Sequence, residues 1–350
     1  MPYHVVVLYN APGLAADHPD RESEEGVLES VESVTAALSA RGHRVSHLAV
    51  GNDPSDVPNR LQAYRPFDVV FNLFEGLGGT AFGEAAVTGW VEICGWPHTG
   101  SPAECLALVR DKARTKWLLA GAGLPTAPFY WIAPDGLIPE AALDAALARD
   151  PWIVKPARED ASLGIGPDSV VTNLDALRRQ VESVRQRYGD VLVERYIAGR
   201  EFNVGVVALP EPRALPLAEI VFTSERTTPW QIVTYDGKWK SDSGDCIGTT
   251  PRCPADVDPM LKAEIERVAL AAFRVTGCRD YARVDLRVDA DNQIFVLEIN
   301  GNPDIGPTAG FARALRVAGF EYGEFINEVT SWAQRGQRSE TRGQNSCADL

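Results

Sequence analysis

No stretch of the sequence approaches the roughly 18 apolar residues of a membrane-crossing helix. The apolar amino-terminal run Tyr3-His4-Val5-Val6-Val7-Leu8-Tyr9 is too short for a secretion signal and has no basic leader. These absences exclude a membrane as partner and lead us to expect a cytoplasmic protein. Cysteine is sparse, at positions 94, 105, 246, 253, 278 and 347, with no CxxC and no zinc-type spacing, so neither a disulfide framework nor a structural metal site has support. Positive charge is outnumbered: 34 Lys and Arg stand against 48 Asp and Glu, giving a net charge of -14 and a pI near 4.9. Such a balance opposes attraction to nucleic acid or anionic lipid, although a local basic pocket can still hold a nucleotide. With five histidines, no convincing Ser-His-Asp or Cys-His nucleophile arrangement emerges, and there is no internal repeat.

The chain has 350 residues, 45% of them hydrophobic, enough for a large core divided between two or three domains. Its first hundred residues alternate strand and helix: strand Val5 to Tyr9, an amphipathic helix from about Glu24 to Arg41, and strands Val45 to Val50 and Asp68 to Phe74. That order favours a parallel sheet covered by helices, an α/β architecture. A helical segment carrying Asp111-Lys112 runs to Gly121, and a second sheet starts at Trp152-Ile153-Val154-Lys155-Pro156. Strands from Val191 onward predict a third unit. The expected boundaries are 1–100, 101–190 and 191–333, followed by a disordered tail at 334–350, whose Arg, Ser, Gln and Gly have no apolar period.

The strongest local signal is a hairpin, Arg283-Val284-Asp285-Leu286-Arg287-Val288, a turn at 289–292, then Ile294 to Asn300. A two-residue turn with Asp289 opposite Asn292 would set Asp285 opposite Val296 and Val284 opposite Leu297. Alternation then gives an apolar face of Val284, Leu286, Val288, Phe295, Leu297 and Ile299, and a polar face of Arg283, Asp285, Glu298 and Asn300. Oxygen donors such as Asp285, Glu298 and Asn300 suit Mg²⁺, which takes one or two carboxylates and completes its shell with water and phosphates. The following Gly301-Asn302-Pro303 exposes backbone, so the Gly301 amide and Arg283 can stabilise an oxyanion.

The spacing of RVD and LEIN-G-NP resembles the metal-binding end of the ATP-grasp superfamily and, within it, the D-alanine:D-alanine ligase family. Asp111-Lys112-Ala113-Arg114-Thr115-Lys116 resembles that family's DK-x-x-[TS]-K helix. Ile153-Val154-Lys155-Pro156, the loop from Pro156 to Gly164, and Glu194-Arg195-Tyr196-Ile197-Ala198-Gly199-Arg200-Glu201 match further motifs in consistent order over residues 1 to 330. The resemblance implies an amino-terminal parallel-sheet domain that binds substrate, followed by two sheet-containing subdomains that clamp ATP. It implies Lys112 and Lys155 on the ATP phosphates, Glu194 and Ile197 at the adenine, Glu201 at the ribose and Lys238 over the γ-phosphate. Two Mg²⁺, or Mn²⁺ in their place, would sit on Asp285, Glu298 and Asn300. Ser162 would close on the phosphates, Glu25 would hold the first substrate's amino group, and the amino-terminal domain would form a homodimer. The implied activity is ATP-dependent joining of a small-molecule carboxylate to an amine through an acyl phosphate.

Several positions depart from the family's substrate residues. Ala161 stands for a serine of the phosphate loop, Trp239 for a tyrosine, Glu75 for a histidine, Asp304 for a glycine, and Ala309 for the serine that receives the second substrate's carboxylate. A site stripped of hydrogen-bond partners rejects the substrate that used them. The expectation is therefore a related ligase for another amino acid, peptide or amine. D-Alanyl-D-alanine synthesis for peptidoglycan precursors, a non-catalytic ATP-binding module and an ATP-dependent phosphotransferase are the alternatives.

Overall fold

Strand β1 (His4–Asn10) is buried along nearly its whole length, as a strand covered on both faces must be. The structure, a computed structural model, describes residues 1–13, 21–51, 53–76 and 82–345, with the backbone alone for 21–25 and 337–345. Helix α1 (Arg21–Ser39) leads to β2 (Arg44–Val50), and α2 (Val57–Gln62) to β3 (Val69–Leu73); the strands form a parallel sheet ordered β2-β1-β3. Val27, Val31 and Val34 of α1 pack on Val5, Val7 and Phe71. The opposite face, with Val6, Leu8 and Val70, is covered by α2 and by α3 (Gly83–Ile93).

The single helix expected around Asp111 is two, α4 (Ala103–Arg110) and α5 (Lys112–Gly121). Asp111 between them is extended, with φ -90 and ψ 96, and its side chain accepts the Arg114 amide at 3.0 Å. An N-cap carboxylate satisfies an amide that the first turn would leave open, so it starts a new helix where periodicity suggested continuation. Next come β4 (Phe129–Ile132), α6 (Glu140–Leu147), β5 (Trp152–Pro156), β6 (Val170–Val171), α7 (Leu174–Tyr188) and β7 (Val191–Arg195). Strand β7, expected to open the third unit, instead lies between β4 and β5 in an antiparallel sheet ordered β4-β7-β5-β6.

The remaining strands are β8 (Arg200–Ala208), β9 (Pro212–Ala214) and β10 (Ala218–Phe222), then, after α8 (Tyr235–Trp239) and α9 (Gly244–Ile247), β11 (Thr249–Arg252). Helix α10 (Pro259–Val275) precedes the hairpin β12 (Tyr281–Val288) and β13 (Ile294–Asn300). Their sheet runs β11-β10-β8-β12-β13, with β9 paired to β8. Ile265, Val268, Ala269 and Ala272 of α10 fill the core on one face. The other face is apolar at Val207 and Tyr281 and polar at Glu201, Asn203, Arg283, Asp285 and Arg287, where it carries the site. Helices α11 (Gly310–Val317) and α12 (Tyr322–Asn345) close the described chain. The tail expected to lack structure from 334 continues α12 as far as Asn345.

The hairpin register differs from the expected one. Asp285 pairs with Glu298 and Val284 with Ile299, and the register shifts between Asp285 and Leu286, so that Leu286 pairs with Val296. The turn is also longer: the Asp289 amide donates to Gln293 O, with Asn292 at φ 58, a left-handed residue of the kind a three-residue hairpin loop uses. A bulge places two consecutive residues opposite one. Ile294, Val296 and Ile299 thus reach the core, while Phe295 and Leu297, expected there, are half-buried outside it.

The first and third units share a core. Val207, Tyr281, Phe311, Phe325 and Val329 pack with Val5, Val7, Val69 and Phe71, and the rings of Tyr281, Phe311 and Phe325 lie 5.9 Å apart, centroid to centroid.

Candidate active site

A cleft of about 490 Å³ opens between the second and third sheets, lined by Lys112, Lys155, Ser162, Glu194, Ile197, Glu201, Lys238, Arg283, Asp285, Glu298 and Asn300. On its floor, strand pairing sets Asp285 between Asn203 of β8 and Glu298 of β13. The Asp285 carboxylate accepts Arg283 Nε at 2.8 Å and Nη2 at 2.9 Å, Asn203 Nδ2 at 2.7 Å and Asn300 Nδ2 at 3.1 Å. Asn203 had no signal in linear sequence, since only the pairing of β8 with β12 brings it there. Asp285, Glu298 and the Asn300 amide form a hard oxygen set without sulfur or imidazole, which fits Mg²⁺ bound together with nucleotide phosphates. Among the described residues no group of three His, Cys, Asp or Glu forms a self-sufficient metal cage.

The lysines are held by carboxylates. Lys112, the first residue of α5, donates from Nζ to Glu159 O at 2.5 Å and Asp160 Oδ1 at 2.8 Å, and lies 3.1 Å from Glu298 Oε2. It ties the loop after β5 to the floor. Glu194 on β7 is bracketed by Lys155 Nζ at 2.6 Å and Lys116 Nζ at 2.5 Å. Burial would raise its pKa, but the two lysines hold it below the usual carboxylate value. Lys116, left without a role by sequence reasoning, has no solvent exposure and also donates to Thr126 Oγ1. Glu201 Oε2 accepts both Arg287 Nη2, at 2.8 Å, and Nε, at 3.1 Å, while Arg287 Nη1 bonds Ile197 O at 2.6 Å. The far wall of the cleft is thus braced before any ligand arrives.

Two segments cover the cleft. In the loop after β5, the Leu163 amide donates to Asp160 O, and Ala161 and Ser162 both adopt positive φ, 54° and 61°. Gly164 follows at φ +73, where an added Cβ would lie 2.7 Å from Pro156 and 2.8 Å from Tyr188, so only glycine fits. The second segment carries α8 and α9. Its Trp239 Nε1 donates to Ala161 O at 3.0 Å, and the Tyr235 amide to Ile165 O at 2.9 Å. Asp245 organises it: this buried carboxylate accepts Thr227 and Thr228 amides and the Thr234 hydroxyl, and the same Thr234 Oγ1 caps α8, which bears Lys238.

A family model described as D-ala D-ala ligase C-terminus matches residues 118–331. The chain belongs to the D-alanine–D-alanine ligase family. The D-alanine–D-alanine ligase of Desulforudis audaxviator is 33% identical over 307 residues, covering 88% of this chain and 93% of that one. The Sinorhizobium fredii ligase is 34% identical over 331 residues, with 92% and 95% covered; an uncharacterized protein of the same organism, y4sG, is 33% identical over 312 residues, 87% of each chain. The crystal structure of D-alanine–D-alanine ligase from Bacillus anthracis complexed with ATP matches with a TM-score of 0.77 over 97% of this chain and 99% of that one, at 20% identity. The fold is the ATP-grasp fold, and family membership makes the chain an ATP-dependent carbon–nitrogen ligase.

Away from Lys112 and Lys155, the cleft of this D-alanine–D-alanine ligase family member changes character. Glu75 is exposed, and crowding by the surrounding protein, then the charge of Asp304, raises its pKa. Glu84, on the first turn of α3, is pushed by burial to about 8. Asp304 Oδ1 accepts the Ser30 hydroxyl at 3.1 Å and the Gly306 amide at 2.8 Å. Lys238 reaches the cleft from α8; desolvation and then nearby Arg283 lower its pKa. Gly301 packs against α4, where an added Cβ would lie 3.1 Å from Leu106. Glu25 falls within α1, and its side chain lies outside the described residues.

Proposed function

We propose that the protein uses Mg-ATP to activate a small-molecule carboxylate and joins it to an amino acid or peptide acceptor that differs from D-alanine. The observation behind this reading is the contrast along one cleft: Lys112, Lys155 and Lys238, the oxygen ligands and both covering segments are present, whereas Ala309 and Asp304 in the same lining, and Glu75 and Trp239 beyond it, replace the residues expected to meet substrate. Lys112, Lys155 and Lys238 orient and neutralise the triphosphate, with Ser162 and the turn amides closing on it. Glu194, Ile197 and Glu201 frame the nucleoside. Asp285, Glu298 and Asn300 would hold two Mg²⁺, with Mn²⁺ as a substitute, which supply charge neutralisation at the phosphates.

In the first step a substrate carboxylate oxygen attacks the γ-phosphorus, the bond to ADP breaks, and an acyl phosphate forms. In the second the acceptor nitrogen attacks the acyl carbon, loses its proton, and expels phosphate. Arg283, fixed to Asp285 through Nε and Nη2, has Nη1 for the tetrahedral oxyanion, which the Gly301 amide meets from the strand end. Glu25 is assigned the first substrate's ammonium. The residue roles, the cytoplasmic setting and a homodimer through the amino-terminal unit belong to this proposal.

The test is ADP and phosphate release from Mg-ATP with D- and L-amino acids, dipeptides and simple amines, with mass spectrometry of the products. We expect turnover with a pair other than two D-alanines. Turnover with D-alanine alone would overturn the acceptor reading, ADP without free phosphate would indicate a phosphotransferase, and tight nucleotide binding without turnover a binding module.

A further inference from the structure

We propose that Cys105 and Cys278 are an oxidisable thiol pair: a hydroperoxide converts them to a disulfide that ties α4 to the segment entering β12 and weakens nucleotide binding at Lys112. Although 173 positions apart in sequence, the two side chains meet, with Cys105 Sγ donating to Cys278 Sγ at 3.5 Å. The backbone around them is already laced together. The Gly100 amide donates to Asp280 Oδ2 at 2.9 Å, the Arg279 amide to Ser101 Oγ at 3.3 Å, and Arg279 Nε to Gly100 O at 3.0 Å. The thiols are thus brought together by elements that meet whether or not a bond joins them. A disulfide needs its sulfurs about 2.05 Å apart, so closure draws them roughly 1.5 Å nearer.

The two sulfurs are unequal, which sets the order of events. Cys105 is 1% exposed, whereas Cys278 is only half-buried and within reach of a small oxidant. The hydrogen bond from Cys105 holds the Cys278 thiol below its usual pKa and raises that of Cys105, and the thiolate is the nucleophile. The Cys278 thiolate attacks the hydroperoxide, the O–O bond breaks, sulfur takes the hydroxyl as a sulfenic acid, and the other oxygen leaves with the electron pair. Cys105 sulfur then attacks Cys278 sulfur, and its proton departs with the expelled hydroxide as water, so two thiols are oxidised and one peroxide reduced. The effect on nucleotide rests on the ligase reading. Cys105, Leu106 and Val109 are buried residues of α4, and an added Cβ at Gly301 would lie 3.1 Å from Leu106 and 3.4 Å from Val109. The helix is therefore wedged against the end of β13. Its last residue, Arg110, holds Asp160, and Asp111 caps the helix that Lys112 begins. A pull on Cys105 thus reaches the lysine assigned to the ATP phosphates.

The experiment treats the reduced full-length protein with a small excess of hydrogen peroxide and maps its cysteines by mass spectrometry of the unreduced digest, in wild type, Cys94→Ser, Cys105→Ser and Cys278→Ser. We expect a Cys105–Cys278 cross-link in wild type and in Cys94→Ser, reversed by dithiothreitol. In Cys105→Ser we expect a sulfenic acid at Cys278 that dimedone traps. Both thiols still free after peroxide, or a cross-link through Cys94 instead, overturn the pair; wild type alone gives the first of these results, so the test survives a variant that fails to fold. Calorimetry with Mg-ADP measures the consequence. The Kd of wild type should rise about tenfold on oxidation and that of Cys278→Ser should not change. An unchanged Kd in fully cross-linked wild type overturns the coupling to Lys112. Failure of the ligase reading looks different: the reduced protein then binds no Mg-ADP, which removes the coupling, while the digest still decides the pair.

Discussion

At the lysine-bearing end of the cleft, assigned to nucleotide in the proposal, Lys112, Lys116 and Lys155 rest against Asp160, Glu298 and Glu194, and Arg287 against Glu201. At the other end, assigned to the acceptor in the proposal, Glu75 feels the like charge of Asp304, and among the described residues Arg313 Nη1 has no hydrogen-bond partner. A charge pre-paired inside the protein is held in place before the ligand arrives, so a ligand that is always the same meets a site needing little reorganisation. Charges left unbalanced await complementary ones from the substrate. The two ends therefore carry different information: one describes the chemistry, the other the molecule on which it is done.

Removing a floor residue should break this contrast most severely. Glu298→Ala, which takes away a proposed metal ligand and a Lys112 partner together, should lower kcat by about 10³-fold or more with unchanged circular dichroism; near-normal turnover would remove Glu298 from the mechanism. A smaller effect is expected for the covering segment. Asp245→Asn replaces one acceptor oxygen among clustered donors by an amide nitrogen, which should cost about 1–3 kcal/mol locally. Acting through Thr234 and α8 on Lys238, it should raise the KM for ATP roughly tenfold while shifting the melting temperature little, as measured by steady-state kinetics and calorimetry.

Least in size is a pH effect at the acceptor end. The pKa of Glu84 rises from 4.5 to about 8 on folding, mainly through burial, so the folded state binds its proton more tightly than the unfolded state. The stabilisation is complete below the unfolded value and is lost as pH rises through about 8. Glu84→Gln should flatten that part of the profile, leaving the melting temperature at pH 9 about 2–4 °C above wild type. A parallel pair of pH profiles would show that the burial of Glu84 carries no such cost.

That Lys112, Lys155, Glu298 and Asn300 line one cleft was legible because they come in short contiguous motifs on single elements: Lys112 at a helix start, Lys155 on a strand, Glu298 and Asn300 two residues apart. Alternation also identified the polar hairpin residues. It misassigned Phe295 and Leu297 because a strict two-residue period has no place for the bulge beside Asp285, and a bulge leaves no compositional mark. Asn203 and Asp245 were missed for another reason, since they act through strand pairing and loop closure between segments distant in sequence.

The core shared by the first and last units also constrains the order of events during synthesis. Strands β1 and β3 emerge early from the ribosome, but the face bearing Val5, Val7 and Phe71 is covered partly by Phe311, Phe325 and Val329, which are made near the end. The unit that is translated first therefore completes its packing last. Until α12 appears, its exposed valines and phenylalanine are the surface a chaperone would have to shield.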